Sequence, residues 1–576
     1  DMFRIMKNGG DFMQLMSKAM NPAFWKALRE DPSCAELIAQ TKADYERLHY
    51  EGDIPVLSFA ARKRLYEDGD RGTFETPYFR RRNALTVAAI LALLYPEEDA
   101  YLRQAESLIW AVCDEYSWVV PAHCPGKPEE DHRILDLFTS ETAFALAEID
   151  ALLGSRLHPW LRARIRDEVD RRVVENYERY PGTNHWEACM NNWGAVCAGN
   201  IGGAVAYLFP EKFMALLPRL TETMRCFLRG FPEDGTCMEG FDYWHYGFGN
   251  FVWFADLVLQ FTDGQVDLFR MDPKIEAIAG YAQRSILKGG TTVSFSDGSR
   301  DGKVSISLQN YLAARFPDSI RPLPASVTRY LHQNVWMMNW FRNFYYHDLE
   351  RQARTLLRQD WDLPGAGQVI LNRPRYSLAV KAGHNDEPHN HNDVGSFILA
   401  TEQGQVFCDL GCGCYTGWYF GPKRYEIFCN GSQSHNVPIV NGSYQKLGRS
   451  SCGTISRDGS RVTVSFAEAY GQPEFGSLVR TMDCGADRIV LTDRFDPDYR
   501  SLTERFVTTR EVKAEEGRVQ VGDVTLVYDP ACAALHVHPE THLLHGYQGK
   551  TETVYCIDLT LKPRQDHMTV MFEIGR

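Results

Sequence analysis

The sequence lacks any run of about 18 or more apolar residues, the length that a membrane-spanning helix requires. It is also short of positive charge: 62 Lys and Arg stand against 75 Asp and Glu, which leaves a net charge of -13. A general nucleic-acid-binding protein needs a basic surface, so this balance argues against that class. We therefore expect neither a membrane nor a nucleic acid as a partner.

The 15 cysteines lack the spacing of a small disulfide-rich scaffold, and their number is odd. They are therefore predicted to be mostly reduced, buried thiols. No secretory signal is visible, but the sequence begins at Asp1, so a trimmed leader stays open. The cytoplasm is the expected location, with the periplasm and secretion as alternatives.

The sequence has enough apolar residues for large cores. Over 576 residues, 44% are hydrophobic and 12% aromatic, as in globular proteins. A chain of this length is expected to form about two to four domains.

The hydrophobic period changes strongly once, near residues 355–370. Before it, the spacing of apolar residues predicts helices. These are 35–50, 56–68, 83–95, 100–116, 133–153, 158–176, 192–209, 211–231, 248–260, 274–287 and 307–354, with a strand-like or loop insertion at 286–306. Such helices with short connections indicate an α-solenoid or an (α/α) toroid, and the absence of an exact repeat favours the toroid.

After the change, alternating strands with hairpin signals predict an antiparallel β-sandwich. Predicted strands include 397–400, 402–408, 461–466, 488–492, 505–509 and 551–561. The predicted fold is thus a multidomain α and β chain: an (α/α) toroid or incomplete barrel over residues 1–360, then an antiparallel β-sandwich over 361–576.

The densest group of chemically active residues is the stretch His384-Asn385-Asp386-Glu387-Pro388-His389-Asn390-His391-Asn392-Asp393. It holds three histidines within eight positions, just before a hydrophobic strand. Histidine moves protons near neutral pH and is the commonest metal ligand. His389 and His391 are two positions apart and share a face if the backbone is extended. A polar loop that satisfies its own backbone is the alternative.

Two further motifs lie in the helical half. Asn191-Asn192-Trp193 follows Asn184-His185-Trp186-Glu187, and two Asn at a helix start have an ordinary explanation as N-caps. Glu239-Gly240 precedes Tyr243-Trp244-His245-Tyr246-Gly247. Such an aromatic cluster is either core or a sugar-stacking surface, because Tyr and Trp combine an apolar face with a polar group.

His391, Asp409 and His435 form a candidate metal set. Zinc accepts two imidazoles and a carboxylate, with water as a fourth ligand. Spacing alone does not establish the set, and the alternative is a capping Asp with two unrelated histidines.

Together these motifs resemble the heparinase II/III-like polysaccharide lyases, which include alginate lyases of the same architecture. The most specific piece is His389-Asn390-His391-Asn392-Asp393, and Asp409 and Ser434-His435-Asn436 follow in the family's order. The resemblance implies an (α/α) toroid facing a β-sandwich, with the site between them. It also implies β-elimination at a uronic acid, in which C5 loses a proton and the C4–O4 bond breaks.

The implied chemistry assigns roles to the predicted catalytic residues. Asn191 or Asn192 would neutralise the uronate carboxylate, because the C5 proton is acidic only when that charge is held. His389 would either remove the C5 proton as the base or help to neutralise the uronate carboxylate. Tyr246, about 55 residues after Asn191 as in the family, would pass a proton to the leaving O4 atom. Tyr243 is the second candidate for this role.

The resemblance also implies binding residues. His391, Asp409 and His435 match positions that hold a structural zinc in some members. The residues expected to contact substrate are His185, Glu187, Trp193, Glu239, His245, Tyr415 and Tyr419. The expected partner is an acidic polysaccharide or oligosaccharide, and a homo-oligomer stays open.

Two other functions compete with the lyase. A glycoside hydrolase on a helical toroid would need two carboxylates at glycosidase separation, for which Glu187, Asp234, Glu239 and Asp242 are the nearby candidates. A non-catalytic carbohydrate-binding protein would use the aromatic residues as stacking platforms.

Overall fold

A computed structural model describes residues 13–124, 127, 130–330, 336–351, 355–356, 358–546 and 549–575. The first half of the chain is helical. Its α-helices are Pro22–Glu30, Ala35–Leu48, Phe59–Asp68, Gly72–Leu94, Asp99–Cys113, Leu137–Leu153, Pro159–Val169, Glu175–Arg179, Asn192–Leu208, Pro210–Arg229, Phe241–Tyr243, Gly249–Phe261, Ile275–Ala279, Tyr281–Arg284, Ile306–Arg315 and Met337–Tyr345.

Polar caps decide where several of these helices begin. Asp136 accepts a hydrogen bond from the backbone N–H of Thr139, and Asn191 accepts one from that of Trp193. Each cap satisfies a backbone donor that the first turn leaves unpaired. The helices that follow these caps, Leu137–Leu153 and Asn192–Leu208, are buried along most of their length and pack against each other.

Two predicted helices are broken in the structure. Residues 274–287 form two short helices separated at Gly280, a residue with low helix propensity. Residues 307–354 form the helices Ile306–Arg315 and Met337–Tyr345. Between them, Pro317, Pro322 and Pro324 prevent a continuous helix.

The second half forms three antiparallel sheets. In spatial order, the five-stranded sheet contains Trp361–Leu363, Gln368–Asn372, Ser377–Lys381, Phe397–Thr401 and Gly404–Phe407. The four-stranded sheet contains Ala533–Leu543, Thr551–Leu561, Leu502–Thr508 and Ile439–Val440. The nine-stranded sheet contains Val512–Glu515, Arg518–Val521, Val524–Tyr528, His567–Ile574, Arg488–Phe495, Leu478–Cys484, Arg461–Ser465, Gly448–Asp458 and Gly383–Asn385. The predicted fold class is confirmed.

The five-stranded sheet is buried on both faces and joins the two halves. Because successive strand residues point to opposite faces, Val369 and Leu371 enter the core of the β half while Ile370 faces the other way. On that other face the sheet packs against Leu287 and Phe295. The insertion at 286–306 is therefore one part of the helical half that docks on the β half.

None of the described helices combines the length and the apolar character that crossing a membrane demands.

Candidate active site between the two halves

The carboxylate of Asp297, which the sequence analysis did not single out, lies at the centre of the candidate site. Its side chain is buried. Five side chains donate hydrogen bonds to it: His389 Nδ1 at 2.7 Å, His391 Nε2 at 3.0 Å, Tyr415 at 3.2 Å, Tyr419 at 2.7 Å and Arg424 at 3.2 Å. Burial by itself would raise the pKa of Asp297, but the hydrogen bonds from His389 and His391 hold that pKa well below its usual range. Asp297 is therefore an ionised carboxylate that only accepts hydrogen bonds.

Close backbone packing brings Asp297 to this position. The segment turns at Ser296, whose φ of 61° is in the left-handed region. A Cβ on Gly240 would lie 2.8 Å from the Gly298 nitrogen, and one on Gly411 would lie 1.9 Å from the Gly298 carbonyl oxygen. Glycine is required at both positions, because any side chain would separate the three segments that meet here.

His389 is oriented by Asp297. Because the carboxylate only accepts, His389 Nδ1 carries the proton, and in the neutral ring Nε2 holds a lone pair. His389 Nε2 lies 3.5 Å from the Glu239 Oε2 atom. The imidazole packs against Tyr243, with ring centroids 4.1 Å apart. His389 is thus fixed with a basic nitrogen directed at the helical half.

Asn192 and Glu239 form the wall that His389 faces. The backbone N–H of Asn192 donates to Glu239 Oε1 at 2.9 Å, and Asn192 Nδ2 donates to Glu239 Oε2 at 2.6 Å. Burial raises the pKa of Glu239, although the nearby His389 lowers it. Of the two predicted asparagines, Asn192 therefore joins the cluster, whereas Asn191 caps the helix.

The two candidate tyrosines lie in different surroundings. The hydroxyls of Tyr243 and Tyr415 are 2.6 Å apart, which links Tyr243 to the Asp297 network. The Tyr246 hydroxyl donates to Glu141 at 3.1 Å. Burial raises the pKa of Tyr243, Tyr246 and Glu141 well above their ordinary values, so both tyrosines carry protons at neutral pH.

Three residues predicted to bind substrate lie elsewhere or are engaged. His245 is buried in the helical core, where its Nε2 accepts from the Ser305 N–H at 3.1 Å and burial lowers its pKa to about 3. Glu187 pairs with Arg219 at 2.8 Å. Tyr419 is fully buried and holds Asp297. The spacing of these residues could not reveal which side chains turn inward.

Trp193 and His185 remain partly exposed and lie side by side, with ring centroids 5.0 Å apart. Tyr415 is partly buried and contacts both Tyr243 and Asp297. Of the residues predicted to bind substrate, these three and Glu239 lie at or next to the cluster.

The predicted metal ligands have the donor chemistry that a cation needs. His391 Nε2 donates to Asp297, so its buried Nδ1 holds a lone pair for which the described residues offer no partner. His435 Nε2 donates to the Cys429 carbonyl oxygen at 3.2 Å, and His435 Nδ1 lies 3.0 Å from Asp409 Oδ2. Metal-binding histidines are typically held in this way, with the other N–H donated to a carboxylate or a carbonyl.

His435 and Asp409 form a close buried pair. Burial would lower the pKa of His435, but the Asp409 carboxylate raises it. Among the described residues, the tightest group of possible ligands is Asp393, Asp409 and His435, with ligand atoms within 4.8 Å of one another. The His391 ring is 5.4 Å from that of His435. The residues fit a divalent ion, with Asp393 as a fourth candidate that the sequence analysis did not include.

The β half resembles a known protein family. Residues 355–561 match the family model described as heparinase II/III-like, C-terminal. The matched residues cover most of the β half. No curated protein sequence matches the chain.

Solved structures share the fold of the chain over most of its length. Heparinase III has a TM-score of 0.61 at 13% identity, covering 95% of this chain and 86% of its own. Heparan sulfate lyase HepC from Pedobacter heparinus has a TM-score of 0.57 at 12% identity, covering 94% and 87%. Chondroitin AC lyase from Streptomyces coelicolor A3 has a TM-score of 0.55 at 11% identity, covering 97% and 83%. These neighbours are polysaccharide lyases, and at such identities they establish the shared fold.

Proposed function

We propose that the protein is a lyase that cleaves a uronic-acid-containing polysaccharide or oligosaccharide by β-elimination. The observation that carries this proposal is the orientation of His389, whose Nδ1 is held by Asp297 while Nε2 faces Asn192 and Glu239. The heparinase II/III-like domain and the fold shared with polysaccharide lyases support it.

In this proposal the helical half neutralises the substrate carboxylate. The Asn192 amide, which Glu239 holds in place, donates a hydrogen bond to it. This donor stabilises the charge that develops when C5 loses its proton. His389 Nε2 takes that proton, the electron pair of the C5–H bond forms the C4=C5 double bond, and the C4–O4 bond breaks.

The leaving oxygen then needs a proton, which we assign to Tyr246. Its hydroxyl is protonated and contacts the Glu141 carboxyl, whose pKa burial raises, and a protonated Glu141 would return a proton to the phenolate. Tyr243 is the second candidate, but its hydroxyl is engaged with Tyr415. We also propose that His391, Asp409 and His435 hold a structural zinc. A bound zinc would supply positive charge that braces the loop carrying His389.

The test measures the ultraviolet absorbance of the unsaturated product with a panel of uronate polymers. We expect His389→Ala to lower kcat by about 100- to 10,000-fold, the range of general acid–base catalysis. His384→Ala, in the same stretch but outside the Asp297 network, is the matched control. Tyr246→Phe should lose more turnover than Tyr243→Phe. Absence of unsaturated product from every uronate polymer would contradict the lyase.

The contacts of the carboxylates weigh against the glycoside hydrolase. Asp234 Oδ2 accepts from the Gly365 N–H at 2.8 Å, Glu187 pairs with Arg219, and Asp242 accepts from Ser299. Of the four carboxylates named for that function, only Glu239 contacts the cluster around His389. An inverting or retaining glycosidase needs two.

A further inference from the structure

A row of aromatic and imidazole rings continues from the candidate site along the helical half. The Trp193 ring lies between His185, at 5.0 Å, and His123, at 4.7 Å. His123 stacks on Phe138 at 5.2 Å and 21°, and Phe138 contacts Phe79 at 4.8 Å. We call these five residues the ring row. Trp193 directly follows Asn192 in the chain, so the row starts at the proposed carboxylate-binding wall.

The ring row is accessible and has a rigid backing. Each of its five residues is partly or largely exposed. The buried Trp336 stacks against Phe138 with ring planes 8° apart, which supports the row from behind. Partly exposed aromatic faces of this kind bind the C–H faces of sugar rings.

The polar groups of the row are imidazoles. His123 Nδ1 lies 2.7 Å from the Asp136 carboxylate, which also caps a helix, so Nδ1 donates and Nε2 is left for a ligand. Burial, together with the neighbouring His123, lowers the pKa of His185. The His185 ring can therefore exchange hydrogen bonds with hydroxyl and carboxylate groups at neutral pH without a fixed positive charge, and His123 offers its Nε2 atom to the same groups.

Four of the described cations near the site are paired with carboxylates. The pairs are Arg424 with Asp297 at 3.2 Å, Lys381 with Asp393 at 2.8 Å and Glu387 at 3.1 Å, Arg82 with Glu115 at 2.8 Å, and Arg62 with Asp131 at 2.6 Å. A densely sulfated glycan needs guanidinium or ammonium groups that are free to bind sulfate. Releasing the cation from a buried ion pair has a high free-energy cost, because the carboxylate would be left unpaired.

We infer that the ring row is a subsite for an unsulfated polyuronate, a chain whose carboxylates are its only anionic groups. Its rings stack on the sugars, and its imidazoles bind their hydroxyls and carboxylates. This inference rests on the proposed lyase function and adds to it the class of substrate.

The first experiment compares kcat/KM for alginate and hyaluronan, which are unsulfated, with that for heparin. We expect at least one unsulfated polymer to be cleaved more efficiently than heparin. Preferential cleavage of heparin would overturn the inference while leaving the lyase function intact.

The second experiment tests the row itself. Trp193→Ala should raise KM for the preferred polymer about 2- to 10-fold, the value of one aromatic contact, with kcat little changed. Trp160→Ala removes an exposed tryptophan elsewhere on the helical half and is the control. An unchanged KM for Trp193→Ala would overturn the subsite.

If no polymer yields unsaturated product, the lyase function fails, and the subsite is then tested by binding alone. Titration calorimetry of the wild type with unsulfated oligouronates should show binding that Trp193→Ala weakens and Trp160→Ala does not. Equal binding by the two variants, or no binding by the wild type, would overturn the subsite as well.

Discussion

The two halves of the chain position their site residues in different ways. In the helical half, Phe138, Asn192 and Trp193 lie in the first turns of helices that begin at polar caps. In the β half, His389 and Tyr415 lie outside the strands and are held by hydrogen bonds to Asp297. A capped helix orients its first turn through local hydrogen bonds, whereas a loop needs a partner from outside.

Asp297 connects the helical half to the loops of the β half. It precedes the β half in sequence, yet its five donors all come from the β half. Removing one partner of a buried ionic network strongly destabilises the folded protein, because the remaining charge is left buried and unpaired. The comparison therefore predicts that the β half of the cleft depends on a single residue of the helical half.

The largest expected effect comes from Asp297→Ala. It leaves the buried Arg424 without its carboxylate, so the free energy of unfolding should fall by about 3–5 kcal/mol. Urea unfolding measures this change. Asp301→Ala, on the same segment but exposed, should stay within about 0.5 kcal/mol of the wild type. Similar losses in both variants would show that the segment, not the carboxylate network, joins the halves.

The second prediction concerns the β half alone. Metal analysis should find about one zinc per chain, and Asp409→Ala should lose it. At free zinc about 100 times Kd, bound metal adds about 2.7 kcal/mol to stability, so a chelator should lower the Tm of the wild type. His536→Ala, which changes an exposed histidine of the same half, should keep its zinc. Wild-type protein that contains no zinc, and whose Tm the chelator leaves unchanged, would overturn the zinc site.

The third prediction concerns the helical half, at Glu141, where the expected effect depends on pH. Burial raises the pKa of Glu141, so the native state keeps a proton that the unfolded chain releases. Its contribution to stability is full below the unfolded pKa and is lost as pH rises towards the folded one, by about 1.4 kcal/mol per pH unit. Glu141→Gln needs no proton and can still accept from Tyr246.

Urea unfolding at pH 5 and at pH 8 checks this prediction. The stability of Glu141→Gln relative to the wild type should increase from pH 5 to pH 8. The exposed Glu98→Gln variant should show no such increase. A difference between Glu141→Gln and the wild type that is the same at both pH values would mean that Glu141 is ionised in the native state.

Much of the site could be recognised from local sequence. The stretch from His384 to Asp393 was predicted to carry the chemistry, and the structure places His389 and His391 on the two oxygens of one carboxylate. That carboxylate, Asp297, lies in a segment that interrupts the helical pattern. An acidic residue next to Gly298 in such an interruption was the available signal, and its partners are too distant in sequence for periodicity to reveal them.

The sequence by itself determined the helical and β halves, the helix caps and many of the candidate site residues, because periodicity and capping act over a few neighbouring positions. Only the tertiary structure decided which of those residues meet. Asn192 rather than Asn191 faces His389, and His245 turns into the core. The physical reason is close packing: where Gly240 and Gly411 approach Gly298, three distant segments come near enough for one buried carboxylate to bind them.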